Sequence, residues 1–397
     1  MNVLIFNCGS SSQGFKVFRV GEAGQQPEVI ASGKARNVAT LTRAEAVVEW
    51  EVRGKSGTEA ADLSSHRLSA RKIIALLQAR RVEIDAIGHR FVHGGSLFDR
   101  TVCIDAAALE RLKQCLSFAP IHNPNSYSVI QVCLEQLPGV PQYAVFDTAF
   151  HAGMPDVSKT YAIPRGLAER HGFRKYGFHG LSYQYVSAEA ARYMDRPLVS
   201  LKLILCHLGT GGSSVTAMKD GCSFDTSMGF SPLAGLVMST RSGDLDPEIV
   251  LEMIRGGSSP DQVSDVLNNR SGLAGLSGYS SNLQEIIEEA EQGNAACQLA
   301  YEVYAQRLKY YLGAYTWLLD GADGIVFTDD IGLKSWKLRE KVCGDVRSLG
   351  VEIDPAANRH AATDRASRIS TENSRTQVWV IPTDEEIVIL REVLTQA

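Results

Sequence analysis

The chain has 397 residues, 44% hydrophobic and 21% charged, a globular composition with length enough for two domains. A formal net charge of −5 without any Lys/Arg-dense run argues against nucleic acid or another polyanionic partner, and no run of about 18 apolar residues is present to span a membrane. Eight cysteines without C-x-x-C or regular spacing indicate neither a zinc site nor a disulfide framework, and the chain enters its first apolar run without a basic leader, so a cytoplasmic protein is expected.

In chain order, residues 3–7 read as a buried strand, 8–14 (Cys-Gly-Ser-Ser-Ser-Gln-Gly) as a turn and 15–18 as a return strand. Residues 47–52 alternate like an exposed strand, and Ser65 is placed to cap a helix carrying Leu68, Ile73, Leu76 and Leu77. Residues 87–95 run as a strand into Gly94-Gly95, with Arg90 between apolar neighbours. A half-buried guanidinium needs anions, so Arg90 is either salt-bridged within the fold or awaits a phosphate or carboxylate ligand. Asp105 caps a helix with Leu109, Leu112 and Leu116 on one face, and residues 119–124 form a rigid connector into the next helix. The strand at 143–146 delivers Asp147 at its C-terminal end, where ligands of α/β sheets collect, unless the aspartate only caps the next turn.

His179 stands between Gly177 and Gly180, as a structural or a functional histidine. Residues 203–218 repeat the strand-turn-strand pattern around Gly209-Thr210-Gly211-Gly212-Ser213-Ser214. Such turns are either ordinary hairpins or phosphate sites, since glycine lets the backbone come close while N–H groups and hydroxyls donate to anionic oxygens. Two of them about 200 residues apart suggest two related lobes facing a cleft. The Walker loop and the dinucleotide fingerprint are both absent. His207, inside the strand, reads as core from its residue type. Arg241 has no structural explanation among its small neighbours, whereas Asp246 has one as N-cap before Pro247. A long helix near 295–319 carries Tyr304, Leu308, Tyr311, Tyr315 and Leu318 as one apolar face, for the core or a subunit contact. Strand 325–328 leads into Asp329-Asp330-Ile331-Gly332, a polar loop spans 358–376, and after strand 378–381 Thr383 and Glu386 form a capping box for the last helix. Glu385 is then a complement to the helix dipole or a carboxylate for a metal.

Asn7-x-Gly9-Ser10-Ser11-Ser12, His89-Arg90-x-Val92-His93-Gly94-Gly95, the run from Val145 to His151, Tyr176-Gly177-Phe178-His179-Gly180, the run from Asp225 to Phe230 and Thr240-Arg241-Ser242-Gly243-Asp244 together closely resemble the acetate kinase family. The resemblance extends from residue 1 to the last helix. It implies an α/β fold of the actin-like (RNase H-like), sugar-kinase superfamily: two related lobes, each a mixed sheet flanked by helices, with an interlobe active-site cleft. The lobes would be 1–150 plus 383–397 and 151–382. The implied reaction interconverts acetate and acetyl phosphate, with Mg²⁺ or Mn²⁺, in a homodimer. By motif, Asn7 and Glu385 are implied as metal ligands and Arg90, Asp147, His179 and Arg241 as catalytic. Val92, Ile121, Phe178 and Pro232 match the pocket for the acetate methyl. Ser12, His207, Gly209, Thr210 and Gly211 fall at phosphate-binding positions.

The chain departs from that family on the donor side. Where the family has Gly-Gly-Ile-Gly-Glu-Asn, this sequence has Asp329-Asp330-Ile331-Gly332-Leu333-Lys334, and the family's Ser-Ser-Asp-x-Arg stands as Ser280-Ser281-Asn282-Leu283-Gln284. Thr210 replaces an Asn, and the Lys expected soon after Ser12 is Gly14, with Lys16 close by. Two carboxylates add bulk and negative charge where a nucleoside polyphosphate would pass, so pyrophosphate/phosphate is the expected donor pair, with ATP/ADP as the alternative. A ligand-binding relative without turnover is the third reading.

Overall fold

A computed structural model of the chain describes residues 1–9, 11–22, 25–40 and 45–396. Ser10 of the first turn and Ala397 lie outside the described residues. The chain divides into two compact units: Met1–Phe150 together with Asp384–Ala397, and His151–Thr383.

The first unit holds a sheet of β1 (Asn2–Cys8), β2 (Ser12–Arg19), β3 (Glu28–Arg36), β4 (Val47–Val52), β5 (Lys55–Ala60), β6 (Ala86–Phe91), β7 (Val102–Cys103) and β8 (Gln142–Phe146), in the order β5-β4-β3-β2-β1-β6-β8-β7. The second holds β9 (Leu203–Gly209), β10 (Gly212–Lys219), β11 (Cys222–Thr226), β12 (Gly324–Thr328), β13 (Ser367–Arg368) and β14 (Gln377–Val380), in the order β11-β10-β9-β12-β14-β13. Both sheets are mixed and share one plan. An antiparallel meander, β1-β2-β3 or β9-β10-β11, continues on the far side of its first strand into two parallel strands, β6-β8 or β12-β14. The expected α/β class with two related halves is what the chain builds. The parallel strands are covered on both faces, which is why β8, β9 and β12 are buried along their whole length.

In the first unit one face of the sheet packs on helices His66–Ala79 and Asn123–Gln136, through Ile73, Leu77, Val129 and Val132. The other face receives the C-terminal helix Glu385–Gln396 across β1 and β6. Gly88 permits that approach: a Cβ there would sit 2.7 Å from Ile389 and 2.9 Å from Val393. In the second unit the long helix Ala295–Leu318 crosses the sheet with Tyr304, Leu308, Leu312 and Tyr315 inward.

Two expectations about local structure are corrected and one strand is added. The strand expected at 47–52 forms, and it has an antiparallel partner, β5, joined through Arg53 and Gly54, both at positive φ. Its polar sequence hid it. Leu318 is exposed and Leu319 is the buried residue that closes the aromatic face of the long helix. The Thr383/Glu386 capping box does not form: Asp384 Oδ1 accepts from the Ile387 N–H (3.1 Å), and Thr383 Oγ1 is buried without a partner. Glu386 is thereby free for other contacts.

Candidate active site

Because β1, β6 and β8 lie side by side and parallel, their C-terminal ends bring Asn7, Arg90 and Asp147 together, and the first turn of the C-terminal helix adds Glu385 and Glu386. Arg90 donates to both oxygens of Asp147, Nε to Oδ1 at 2.9 Å and Nη2 to Oδ2 at 2.6 Å. Its Nη1 reaches Asn7 Oδ1 and Glu385 Oε2, each at 3.1 Å. Asn7 Nδ2 donates to Glu385 Oε2 (3.0 Å) and Glu386 Oε1 (3.1 Å), and Lys16 pairs with Asp384 (3.1 Å) and Glu386 (3.4 Å). Of the two fates open to Arg90, the salt bridge within the fold is the one observed. Burial works against its charge, but Asp147 and Glu385 outweigh it and raise its pKa.

In this cluster two cations face four carboxylates, an excess of negative charge that suits a hard divalent cation. The Asn7 amide now donates its N–H groups to Glu385 and Glu386. Turned over, the same amide offers an oxygen beside two carboxylates, so Asn7, Glu385 and Glu386 fit Mg²⁺ or Mn²⁺ in chemistry. Among the described residues no group of three or more His, Cys, Asp or Glu is placed to hold a metal. Glu386 was hidden by the capping-box pattern, and only its contacts expose it.

In the second unit the two-residue turn Thr210–Gly211 joins β9 to β10, with Gly209 opposite Gly212. A Cβ on Gly212 would lie 3.3 Å from Arg241 Nη1 and 3.5 Å from His179 Nε2, so both side chains close on this turn. His179, at φ 60°, caps the helix Gly180–Tyr193; its Nδ1 is 2.8 Å from Ser214 Oγ and its ring stacks on His207 at 4.0 Å. His207 lies between Ser182 Oγ (2.9 Å) and Asp329 Oδ2 (3.0 Å). Ser214 belongs to the glycine-serine turn already singled out, whereas Ser182 carried no sequence signal of its own. Arg241 is half-buried, and among the described residues no carboxylate pairs with it; its Nη1 donates to Met238 Sδ at 3.8 Å. Desolvation accordingly lowers its pKa. Its loop is tied down by Asp244, which accepts from the Gly235 N–H (2.8 Å) and the Tyr311 hydroxyl (2.6 Å).

The two aspartates beside this turn are engaged by it. Asp329 holds φ 63°, a glycine-like backbone, and its carboxylate lies where a Cβ on Gly209 would be. Asp330 Oδ1 accepts from the Thr210 N–H (2.8 Å) and its Oδ2 from the Thr210 hydroxyl. A carboxylate thus occupies donors that the turn would offer a phosphate. Asn282 caps helix Leu283–Glu291 through Gln284 N–H (2.9 Å). Ser12 lies at the start of β2, where its carbonyl accepts from the Gly9 N–H (2.9 Å). Of the four apolar candidates, Val92 and Phe178 are buried, Pro232 is half-buried and Ile121 is 54% exposed. The Phe178 carbonyl is pinned by His151 Nε2 (2.9 Å), which accounts for the histidine of that motif.

A doubled α/β core with basic side chains and glycine turns at matching strand ends is the design of a protein that handles small anions. The chain belongs to the Acetokinase family, whose pattern matches residues 2–391, and it is accordingly an acetate kinase-type phosphotransferase with a carboxyl group as acceptor. It is 42% identical to acetate kinase of Dictyoglomus thermophilum, over 99% of this chain and 98% of that protein. The structure superposes on the crystal structure of acetate kinase from Entamoeba histolytica with TM-score 0.90 and 40% identity, covering 100% of this chain and 99% of the other. It also superposes on a propionate kinase from Francisella tularensis with TM-score 0.89 and 36% identity, covering 98% of each. No helix of the described residues is long and apolar enough to cross a membrane.

Proposed function

We propose that this phosphotransferase moves a phosphoryl group between acetate and a small inorganic donor, with pyrophosphate and phosphate as the donor pair. The observation that carries this choice is the Asp329–Asp330 pair lying on the Gly209–Thr210 turn. A nucleoside polyphosphate would have to displace one carboxylate from its hydrogen bonds and bring more negative charge beside both. Pyrophosphate brings no nucleoside and needs no such path.

In this reading acetate is already ionised and needs no base; the obstacle is the approach of one anion to another. An acetate oxygen attacks the phosphorus in line, the bridging P–O bond of pyrophosphate breaks, and phosphate leaves with the electron pair. Arg90 and Arg241 hold the acetate carboxylate and the phosphoryl group, His179 donates to the phosphoryl oxygens, and Asp147 fixes the plane of the Arg90 guanidinium. Ser12, Gly209, Thr210 and Gly211 line the phosphate path, with His207 stacked behind His179. Asp329, Asp330 and Asn282 bound the donor side. Val92, Ile121, Phe178 and Pro232 receive the methyl group. Asn7, Glu385 and Glu386 would hold Mg²⁺ or Mn²⁺, which when bound offsets phosphate charge. A homodimer, from the family resemblance, and a cytoplasmic location complete the reading.

The test is product analysis. Purified protein, acetyl phosphate and Mg²⁺ with inorganic phosphate should yield pyrophosphate. ATP formed from ADP, with no pyrophosphate from phosphate, would replace the donor pair by nucleotides, a choice consistent with the likeness to acetate kinases. No product from either would leave a protein that binds acetyl phosphate without turning it over. Propionate should serve as a second acceptor within about one to two orders of magnitude of acetate, since one methylene in an apolar pocket discriminates by only about 1–3 kcal/mol.

A further inference from the structure

The first unit contains a cavity of about 350 Å³ whose lining includes Asn7, Lys16, Ser32, Lys34, Arg90 and Glu386. The pairing register explains how Lys34 comes to line it. Asn7, Gly14 and Lys34 stand directly opposite one another on β1, β2 and β3, and Lys16 stands opposite Ser32 one step along. Side chains of directly opposed residues share a face of the sheet, so the Lys34 side chain rises over the position where Gly14 has none. That is the position at which the sequence lacks an expected lysine.

The cations of this cavity differ in what they face. Arg90 is held by Asp147 and Glu385, and Lys16 by Asp384 and Glu386. For the Lys34 ammonium no ion pair or hydrogen bond is found among the described residues. Its cross-strand neighbour on β4, Glu49, is taken by Arg36 at 2.8 Å. Lys34 is therefore the cation of this cavity whose charge is not met by a carboxylate of the fold, and it lies two strands away from the metal-type cluster around Asn7.

We propose that Lys34 binds the phosphate that is left behind: it contacts the non-transferred phosphate of the donor and so sets donor affinity. This rests on the phosphotransferase reading above but not on which donor is used, because the end of pyrophosphate and the chain of a nucleotide present the same phosphate oxygens to an ammonium. The exposed position puts the contact at the weak end of charge-assisted hydrogen bonds, about tenfold in affinity.

The experiment compares wild type, Lys34→Ala, Lys34→Arg and the double variant Gly14→Lys/Lys34→Ala, each as the full chain with Mg²⁺, and Lys113→Ala as a surface control. Lys34→Ala should raise KM for the active donor, pyrophosphate or ATP, about tenfold while kcat and KM for acetate stay within twofold. Lys34→Arg should keep most of the affinity. Gly14→Lys should restore it in the Ala background, since a Cβ at Gly14 meets nothing closer than 3.7 Å. Calorimetric binding of pyrophosphate and of ATP, each with Mg²⁺, should weaken by the same factor in Lys34→Ala without reference to turnover. Donor KM and binding within twofold of wild type, a parallel rise in acetate KM, or no recovery in both Lys34→Arg and the double variant would overturn the proposal. A wild type that turns over neither donor yet binds pyrophosphate in a Lys34-dependent way would instead overturn the functional reading alone.

Discussion

Arg241 combines burial with the lack of a carboxylate partner among the described residues, and this sets stability against function. Replacing it by methionine removes a desolvated charge from beside Met238, so Arg241→Met should melt at or above the wild-type temperature. If the side chain holds the phosphoryl group in transit, the same variant should lose about 10²–10³ in kcat. Parallel thermal melts and single-turnover rates check both halves; a stable variant with full activity would take Arg241 out of the mechanism. Asp330→Gly frees the Thr210 N–H and hydroxyl, and should raise kcat/KM for ATP relative to pyrophosphate in a competition assay. Both arginines were legible as guanidinium groups set among apolar or small residues. Their partners were not. Asp147 lies 57 positions from Arg90, and the pairing of His179 with Ser214 joins an αL residue at a helix start to the middle of a strand, a contact no local pattern encodes.

Elements show where local patterns compete. Thr383-x-x-Glu386 satisfied the capping-box spacing, yet Asp384, one residue on, takes the free N–H of the helix start. Asp384→Ala should therefore cost about 1 kcal/mol in chemical denaturation, and Thr383→Ala much less. Strand β6 carries a second consequence. His89, buried, stacked on Phe6 and bonded to Gln142 at 2.8 Å, has its pKa lowered by burial to about 4. In the unfolded chain the imidazole takes up its proton near pH 6.5, so the unfolded state binds more protons below that value and stability should fall as pH drops from 6.5 toward 4. Above pH 6.5 this group contributes no slope. Denaturant midpoints of wild type and His89→Met across that window should differ in slope, the variant being flatter. Strands β1, β9 and β12 were readable because each has a continuous apolar run covered on both faces, whereas β5 alternates nothing and was found only by its pairing with β4.

Across the whole molecule, the doubled strand-turn-strand signal foretold two sheets of one plan. The parallel additions β6-β8 and β12-β14 were harder to foresee, since long crossovers separate strands that end as neighbours. Chelation offers a test at this scale. If Asn7, Glu385 and Glu386 hold the ion, removing divalent metal should abolish turnover, and Glu386→Gln should raise the Mg²⁺ concentration for half-maximal rate, read by titration at saturating substrate. An unchanged Mg²⁺ requirement would leave Glu386 as a partner of Lys16 only.

The first unit is stitched from residues 1–150 and 384–397, with Ile389 and Val393 seated on Gly88. A ribosome making this chain releases that closing piece only after the entire second unit has emerged. Until then the early sheet has a bare apolar flank and Arg90 waits for Glu385. A cut anywhere between the second unit and Glu385 would therefore take one carboxylate from Arg90 and uncover the flank around Gly88 in a single stroke.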